Sequence, residues 1–190
     1  MATLPQIREK VIRLMEGGIA SDENRLDDLY VDSVIHSARA YVLRQDFMKS
    51  KRWHPTAIQV YYPEYNDYFQ DSVCYTRFTL PTSFIQGNSA GDGLVYFGSP
   101  TQHMIGSNNF RGIQNKSFLS DFLNNEKMSP ARGTYIGVLF EGLLVTVISK
   151  NNMVEYPSMS AVFDNPAALP DYNIDKDNYP ISEDMVPVLL

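Results

Sequence analysis

Histidine and cysteine are the residue types that zinc sites use most, and this sequence contains four of them: His36, His54, Cys74 and His103. Zinc sites usually draw two of their ligands from one short stretch of chain, such as Cys-x2-Cys or His-x3-His. No such pair occurs here, so the sequence predicts no metal site and no cofactor. His36 lies within a predicted helix and His54 just after it, and we expect capping or packing roles for both.

Cys74 is also the residue best suited to covalent catalysis, with His103 as its potential base. A thiol becomes a strong nucleophile when a nearby base or positive charge stabilises the thiolate. Cys74 instead lies in an apolar stretch that predicts a strand, where a buried and inert thiol is typical. We therefore expect a protein that is not an enzyme, and a thiol hydrolase is the least favoured alternative.

Two further motifs only superficially resemble those of enzymes. The glycines of residues 87–93 precede a predicted strand and lack the Lys-Ser/Thr pair of a phosphate loop, and they do not connect a strand to a helix as dinucleotide binding requires. The adjacent carboxylates Asp27-Asp28 and Glu183-Asp184 are not set among apolar residues, as a pair dividing acid and base roles would be. A hairpin tip and solvated helix ends explain these motifs.

Two patches suit binding rather than catalysis. The basic cluster consists of Arg44, Lys49, Lys51 and Arg52, and it can contact phosphate or an acidic segment or can be a solvated helix end. The Tyr-rich stretch of residues 61–69 suits sugar stacking, although a core strand joined to an interface is more typical of such a stretch.

Two amphipathic helices are expected to position the basic cluster. The first starts in the segment Thr3-Leu4-Pro5-Gln6, where Thr3 can cap the helix and Gln6 can reach back, and it stops at Gly17-Gly18. The second has Ser21 as its expected cap and ends before Pro55. Its expected buried stripe, which Val34 and Tyr41 widen, consists of Val31, Ile35, Ala38 and Val42.

After Pro55 the sequence changes to short apolar and aromatic runs separated by turn residues. Strands are predicted at 57–62, 73–80, 94–97, 134–140, 143–149 and 159–163, with a short helix at 117–125. Glu141-Gly142 predicts a tight hairpin turn, because glycine adopts the positive φ that such a turn needs. The last forty residues contain five of the eleven prolines and many acids, which favours an extended path.

Composition limits the classes of function. The chain has 190 residues, of which 44% are hydrophobic and 20% charged, so it folds and is expected to form one main domain with appendages. Its net charge of -6 resides in residues 151–190, which carry one Lys against seven acids. An acidic chain without a basic stripe is poorly suited to binding DNA. No apolar run reaches the roughly 18 residues that a membrane span requires.

These features predict an α+β fold in three parts. Residues 1–54 form a helical hairpin, residues 55–150 form a β-rich body that is sandwich or barrel-like, and residues 151–190 contribute a final strand and an extended arm rich in Pro and Asp. The hairpin is too small to be stable alone, so it should pack on the body or on neighbouring subunits.

Several segments, in this order, resemble structural ring proteins of crAss-like and related short-tailed bacteriophages, which lie at the head-to-tail connection. The segments are Gln6-Ile7-Arg8, Leu14-Met15-Glu16-Gly17-Gly18, Ser21-Asp22-Glu23-Asn24-Arg25, Leu80-Pro81-Thr82-Ser83-Phe84-Ile85, Gly93-Leu94-Val95-Tyr96-Phe97-Gly98-Ser99, Ala161-Val162-Phe163-Asp164-Asn165-Pro166 and Tyr179-Pro180-Ile181-Ser182-Glu183-Asp184-Met185. The sequence departs from this class in ending soon after Met185, where such proteins continue into a helix.

The resemblance implies a non-catalytic virion protein, assembled in the host cytoplasm, that forms a homo-oligomeric ring against the portal and other tail or ring proteins. It implies no cofactor, no membrane contact, and DNA passing through the lumen without specific binding. The alternative from the Tyr-rich stretch is a tail or capsid-associated receptor- or glycan-binding module. The candidate contacts between subunits are Val31, Ile35, Val42, Arg44, Lys49, Lys51, Arg52, Phe163, Pro166, Ile174 and Met185.

Overall fold

The computed structural model describes residues 2–15, 27–70, 73–86, 93–98, 110–113, 136–150 and 158–188. Within these ranges the fold is α+β with a β-rich body, as the sequence predicts. The helices are α1 (Leu4–Met15) and α2 (Asp28–Ser50). The strands are β1 (Gln59–Tyr61), β2 (Asn66–Gln70), β3 (Val73–Thr79), β4 (Leu94–Gly98), β5 (Phe110–Ile113), β6 (Ile136–Glu141), β7 (Leu144–Lys150) and β8 (Ser158–Ala161). The expected helix at 117–125, the loop glycines 87–92 and the expected stop at Gly17-Gly18 lie outside the described residues.

The chain divides into two compact units. The helical unit comprises Met1–Gln59 together with Val162–Leu190, and the strand unit comprises Val60–Ala161. The helices and the C-terminal tail, which are far apart in sequence, therefore share one unit.

Helix α1 begins as the sequence predicts. The Thr3 amide donates to Gln6 Oε1 at 3.1 Å, and the Ile7 amide donates to the Thr3 carbonyl at 3.1 Å. These bonds satisfy amides that a helix start otherwise leaves without partners. The apolar face of the helix then buries Leu4, Ile7 and Val11.

Helix α2 begins later than expected, because Asp27 caps it where the sequence had suggested Ser21. The Asp27 carboxylate accepts a hydrogen bond from the Leu29 amide at 3.0 Å. At the other end Lys51 adopts a left-handed conformation with φ of 58°, and its amide donates to the Phe47 carbonyl at 2.8 Å. Aspartate is as good a cap as serine, so residue type alone did not identify the first turn.

The buried face of α2 is rotated from the expected stripe. Val31 and Ile35 are buried as predicted, but the face continues through Arg39 and Leu43. Ala38 and Val42 are only half-buried, and Val34 and Tyr41 are exposed. The four buried residues are spaced by four positions, which keeps them on one side of the helix.

A charged contact joins α1 to α2. The Arg8 guanidinium donates to both carboxylate oxygens of Asp32, at 2.7 and 2.6 Å, and to Asp28 at 2.9 Å. Arg8 and Asp32 are mostly buried, with 20% and 14% of their side chains exposed. Two parallel N–H···O bonds fix the guanidinium relative to the carboxylate, so this pair sets how the two helices meet.

The strand unit contains a five-stranded and a three-stranded sheet. The first has the order β2-β3-β7-β6-β5, with antiparallel pairs except for the parallel pair β5 and β6; the second has the order β1-β8-β4. Strands β6 and β7 are joined by the expected hairpin turn, in which Gly142 has φ of +64°. Phe84 and Phe140 meet edge to face at 5.8 Å between ring centroids. The buried residues include Cys74, Phe78, Leu80, Val138, Leu139, Val145, Val147, Ile148 and Met159.

The C-terminal tail, residues 162–188, is the segment whose composition predicts an extended arm. It makes short 3-10 turns at Pro166–Ala168 and Val186–Val188, and Asn165 caps the first of them by accepting from the Ala167 amide at 3.0 Å. The buried side chains of this segment are Val162, Phe163, Leu169, Tyr179 and Ile181. Proline suits first positions of such turns, so these prolines shape the path of a packed segment.

Candidate interaction surface

Arg39 of α2 forms hydrogen bonds with the C-terminal tail. It is fully buried, and its guanidinium donates through Nε to the Pro180 carbonyl at 2.8 Å and through Nη1 to the Phe163 carbonyl at 2.7 Å. The guanidinium also lies over the Tyr179 ring, 5.6 Å from its centroid. Burial lowers the Arg39 pKa to about 10. Arg39 thus binds two carbonyls that lie on separate parts of the tail.

His36 joins the same contact. Its Nδ1 lies 2.7 Å from the Tyr179 hydroxyl, and the two rings stack at 5.7 Å. Burial and the nearby positive charge of Arg39 lower the His36 pKa, and burial raises the Tyr179 pKa. Both groups are therefore neutral at pH 7, which suits a structural hydrogen bond.

A surface pocket of about 470 Å³ lies beside this contact, between α2 and the tail. Three of its polar lining residues already have partners: Asp32 accepts from Arg8, His36 contacts Tyr179, and Asn165 caps a turn. Among the described residues, no group of three or more His, Cys, Asp or Glu side chains is arranged to hold a metal ion.

The basic cluster lies at the C-terminal end of α2, with all four side chains exposed. The left-handed residue Lys51 ends the helix there, and the Ser50 hydroxyl bonds to both the amide and the carbonyl of Arg52, at 3.2 and 2.7 Å. Trp53 then stacks on Phe47 with 4.3 Å between ring centroids. These contacts fix the backbone that presents the basic side chains to solvent.

An acidic surface lies on the tail of the same unit. Asn173 Oδ1 accepts from the amides of Asp175 and Lys176, and Asp177 Oδ2 accepts from the Asn173 amide at 2.7 Å. This compact loop holds its carboxylates outward. The exposed acids of the tail are Asp171, Asp175, Asp177, Glu183 and Asp184. In the part of the chain that the structure describes, no ion pair joins these acids to the basic cluster.

The expected contacts between subunits fall into two groups. Arg44, Lys49, Lys51 and Arg52 are exposed, and Val42, Ile174 and Met185 are half-buried. By contrast Val31, Ile35 and Phe163 are at most 2% exposed, and Pro166 is also buried. Those four side chains pack in the core of the helical unit, and their assignment to a subunit contact stays a prediction.

An exposed apolar stripe on α2 went unrecognised in the sequence. It consists of Tyr30, Val34, Tyr41 and Met48, which are 60%, 46%, 65% and 43% exposed. Helix α2 is thus apolar on two faces, one covered within the unit and one in solvent. Its spacing of four and seven residues is a usable signal in the sequence, but Val34 and Tyr41 also fit a widened buried stripe.

The structure adds little support for the other candidate sites, which are Cys74, His54 and the Tyr-rich stretch. Cys74 is fully buried in β3, and His103 lies outside the described residues. His54 caps the turn Pro55–Ala57 by accepting from the Thr56 amide, a capping role as expected. In the Tyr-rich stretch, Tyr68 stacks on Tyr75 at 4.9 Å with the Arg77 guanidinium over its ring, whereas Tyr62 is exposed.

Neither described helix is long and apolar enough to span a membrane. Comparison of the sequence with known protein families and with curated proteins finds no match. The function proposed below therefore depends on the sequence and on the geometry of the helical unit.

Proposed function

We propose that this chain is a non-catalytic structural protein of a bacteriophage virion and a subunit of an oligomeric ring at the head-to-tail junction. The observation that carries the proposal is the presence of two oppositely charged exposed surfaces on one unit, the basic cluster of α2 and the acidic tail. Both are held in place by hydrogen bonds of the backbone around them.

Opposite charges on different parts of one subunit favour head-to-tail association. The basic surface of one copy can meet the acidic surface of the next, and such heterologous contacts form a ring when the rotation closes. Exposed ion pairs contribute only about 0 to 1 kcal/mol each, so the charges set orientation while apolar contacts supply most of the affinity. Val42, Ile174 and Met185, which are half-buried in the isolated chain, are available for those apolar contacts.

The test is a charge exchange between the two surfaces. Variant one reverses the basic cluster (Lys49→Glu, Lys51→Glu, Arg52→Glu), and variant two reverses the acidic tail (Asp171→Lys, Asp175→Lys, Asp177→Lys). We expect native mass spectrometry and class-averaged electron micrographs to show a closed ring for the unaltered chain and loss of that ring in either variant. A mixture of the two variants should restore rings with an even number of subunits, in which the two chains alternate and opposite charges meet at every contact, and one chain carrying both sets of changes should also form rings.

Lys10→Glu is the matched control, because it reverses one exposed charge on α1 that belongs to neither surface. It should assemble like the unaltered chain. A chain that stays monomeric at assembly concentrations with the portal protein present would overturn the ring proposal. Rings that form equally well in all variants would show that these surfaces do not meet.

A glycan-binding module remains the second candidate, and one exposed ring, Tyr62, is the observation in its favour. Tyr61 is buried, and Tyr68 has both Tyr75 and Arg77 against it, so the described part of the stretch does not form an open aromatic platform. A selective hit in a glycan array that Tyr62→Ala abolishes would favour this candidate over the ring.

A further inference from the structure

The exposed stripe of α2 has the spacing of a helix seam. Tyr30, Val34, Tyr41 and Met48 follow one another at intervals of four, seven and seven residues, and Ser37 and Arg44 occupy the intervening positions. Alternating steps of four and three keep a line of side chains on one side of a helix, as in coiled coils. From Tyr30 to Met48 the seam extends about 27 Å along the axis at 1.5 Å per residue.

We propose that this seam binds the same seam of a second copy of the chain, with the two α2 helices antiparallel. In the register that places Tyr30 opposite Met48, Val34 lies opposite Arg44 and Ser37 lies opposite Tyr41. The large Tyr41 ring thus meets the smallest side chain of the seam. The aliphatic stem of Arg44 covers Val34 while its charged end reaches solvent. Each contact occurs twice, as the two-fold axis of an isologous contact requires.

The charges at the helix ends select the antiparallel orientation. In the same register Asp27 lies opposite Lys51 of the other chain, and Asp28 lies one position away from the residue opposite Lys49. A parallel pair would place carboxylate against carboxylate at one end and ammonium against ammonium at the other. The helix dipoles add to this preference, because antiparallel helices bring opposite ends together.

A second copy fits this seam because one register satisfies shape and charge together. An unrelated partner would have to supply a small residue opposite Tyr41 and an acid opposite Lys51, which a second copy of the chain already provides in Ser37 and Asp27. The contact area is small, because a helix of 23 residues is about 34 Å long and about 10 Å wide. The area that two such helices bury is less than that of a standard interface. The pair is therefore weak alone and gains strength when other contacts also hold the chains together.

This two-fold contact is independent of the proposed ring. A ring of head-to-tail neighbours is built from heterologous contacts, whereas the α2 pair is isologous and joins two chains whether they belong to a ring or not. The two proposals can consequently fail separately.

Disulfide trapping in the full-length chain tests the pairing and its direction. Tyr30→Cys and Met48→Cys are prepared as separate variants and oxidised alone and as an equal mixture. Antiparallel pairing brings position 30 of one chain beside position 48 of the other and holds identical positions about 27 Å apart, far beyond the distance a disulfide spans. We expect a cross-linked species of twice the chain mass from the mixture, and peptide mapping should identify positions 30 and 48.

The control is Lys10→Cys, an exposed thiol on α1. Cross-linking in the mixture no greater than that of the control would overturn the pairing. Dimers formed through position 30 alone or position 48 alone would also overturn it, because they would indicate parallel helices. The native Cys74 thiol is buried, and peptide mapping identifies any product that contains it.

A second variant tests the apolar contact without cross-linking. Tyr41→Glu places two carboxylates close to the two-fold axis, and because Tyr41 is exposed in the single chain, circular dichroism should be unchanged. We expect the weak dimerisation of the unaltered chain, measured by sedimentation over a series of concentrations, to be lost in Tyr41→Glu, while Leu143→Glu, the same kind of change on the exposed β6–β7 turn, leaves it unchanged. An unchanged dimer in Tyr41→Glu would refute the seam. If rings form but positions 30 and 48 do not cross-link, only the α2 pairing is refuted. If positions 30 and 48 cross-link but no rings form, only the ring proposal is refuted.

Discussion

Replacing Arg39 is the most informative perturbation of the helical unit, because this residue holds the tail on α2. Two buried carbonyls, of Phe163 and Pro180, accept from its guanidinium. Leaving a buried acceptor without a donor costs about 1 to 3 kcal/mol, so losing both bonds costs about 2 to 6 kcal/mol. Burial lowers the pKa of Arg39 from 12.5 to about 10, so burying its charge costs roughly 3 kcal/mol of stability. A neutral replacement removes this cost.

Two substitutions separate the packing of Arg39 from its hydrogen bonds. Arg39→Met keeps most of the volume, so we expect the free energy of unfolding to fall by only about 0 to 3 kcal/mol. Arg39→Ala also leaves a cavity, which adds about 2 to 5 kcal/mol in a buried site, so a loss of about 2 to 8 kcal/mol is expected. That loss approaches the whole stability of a small domain, so the alanine variant should be close to unfolding.

Urea denaturation followed by Trp53 fluorescence measures these losses, because Trp53 is the only tryptophan and stacks on Phe47 of α2. Hydrogen exchange should show the amides of residues 163–181 losing protection in both variants. Arg44→Ala is the matched control, an exposed arginine of the same helix for which a change within about 0.5 kcal/mol is expected. If Arg39→Ala destabilised the protein no more than Arg44→Ala does, the tail would not be held by this guanidinium and the reasoning would be refuted.

Three further outcomes are expected. The pKa of His36 is lowered in the folded chain, so the unfolded chain binds a proton near pH 6.5 more readily, and the free energy of unfolding should fall as pH drops below about 6.5. Asp32 opposes this effect. In His36→Gln the urea midpoint should change less between about pH 8 and pH 5 than it does in the unaltered chain. Asp32→Asn breaks the paired bond to Arg8 and should cost about 1 to 3 kcal/mol in the same assay, whereas Glu9→Gln in an exposed pair should cost less than about 0.5 kcal/mol. The buried Cys74 thiol should react with a disulfide reagent only as fast as the protein unfolds, and rapid labelling of the native chain would revive the hydrolase reading.

Much of the fold could be predicted from short-range patterns. The Thr3 and Gln6 capping contacts, the helix of residues 28–50 and the turn at Gly142 each depend on residues a few positions apart, so the sequence carries their signals directly. Most predicted strands with described residues were also confirmed, because apolar runs bounded by turn residues mark them. The start of α2 was the weak point, since Ser21 and Asp27 are equally suitable caps.

The candidate interaction surface on α2 was only partly predictable from the sequence. The basic cluster was evident as a run of charge, but the apolar stripe was not, because a helix with apolar residues on two sides does not reveal which side the core covers.

The sequence by itself determined where α1 and most of the strands lie and that the charges are divided between α2 and the tail. Only the tertiary structure decided that a tail rich in proline and acid packs against the helices and that an arginine lies in their core. Arg39 is polar by type, and nothing near it in sequence predicts its burial. Its two acceptors lie 124 and 141 residues away, and it can be buried only because folding brings both carbonyls to its guanidinium.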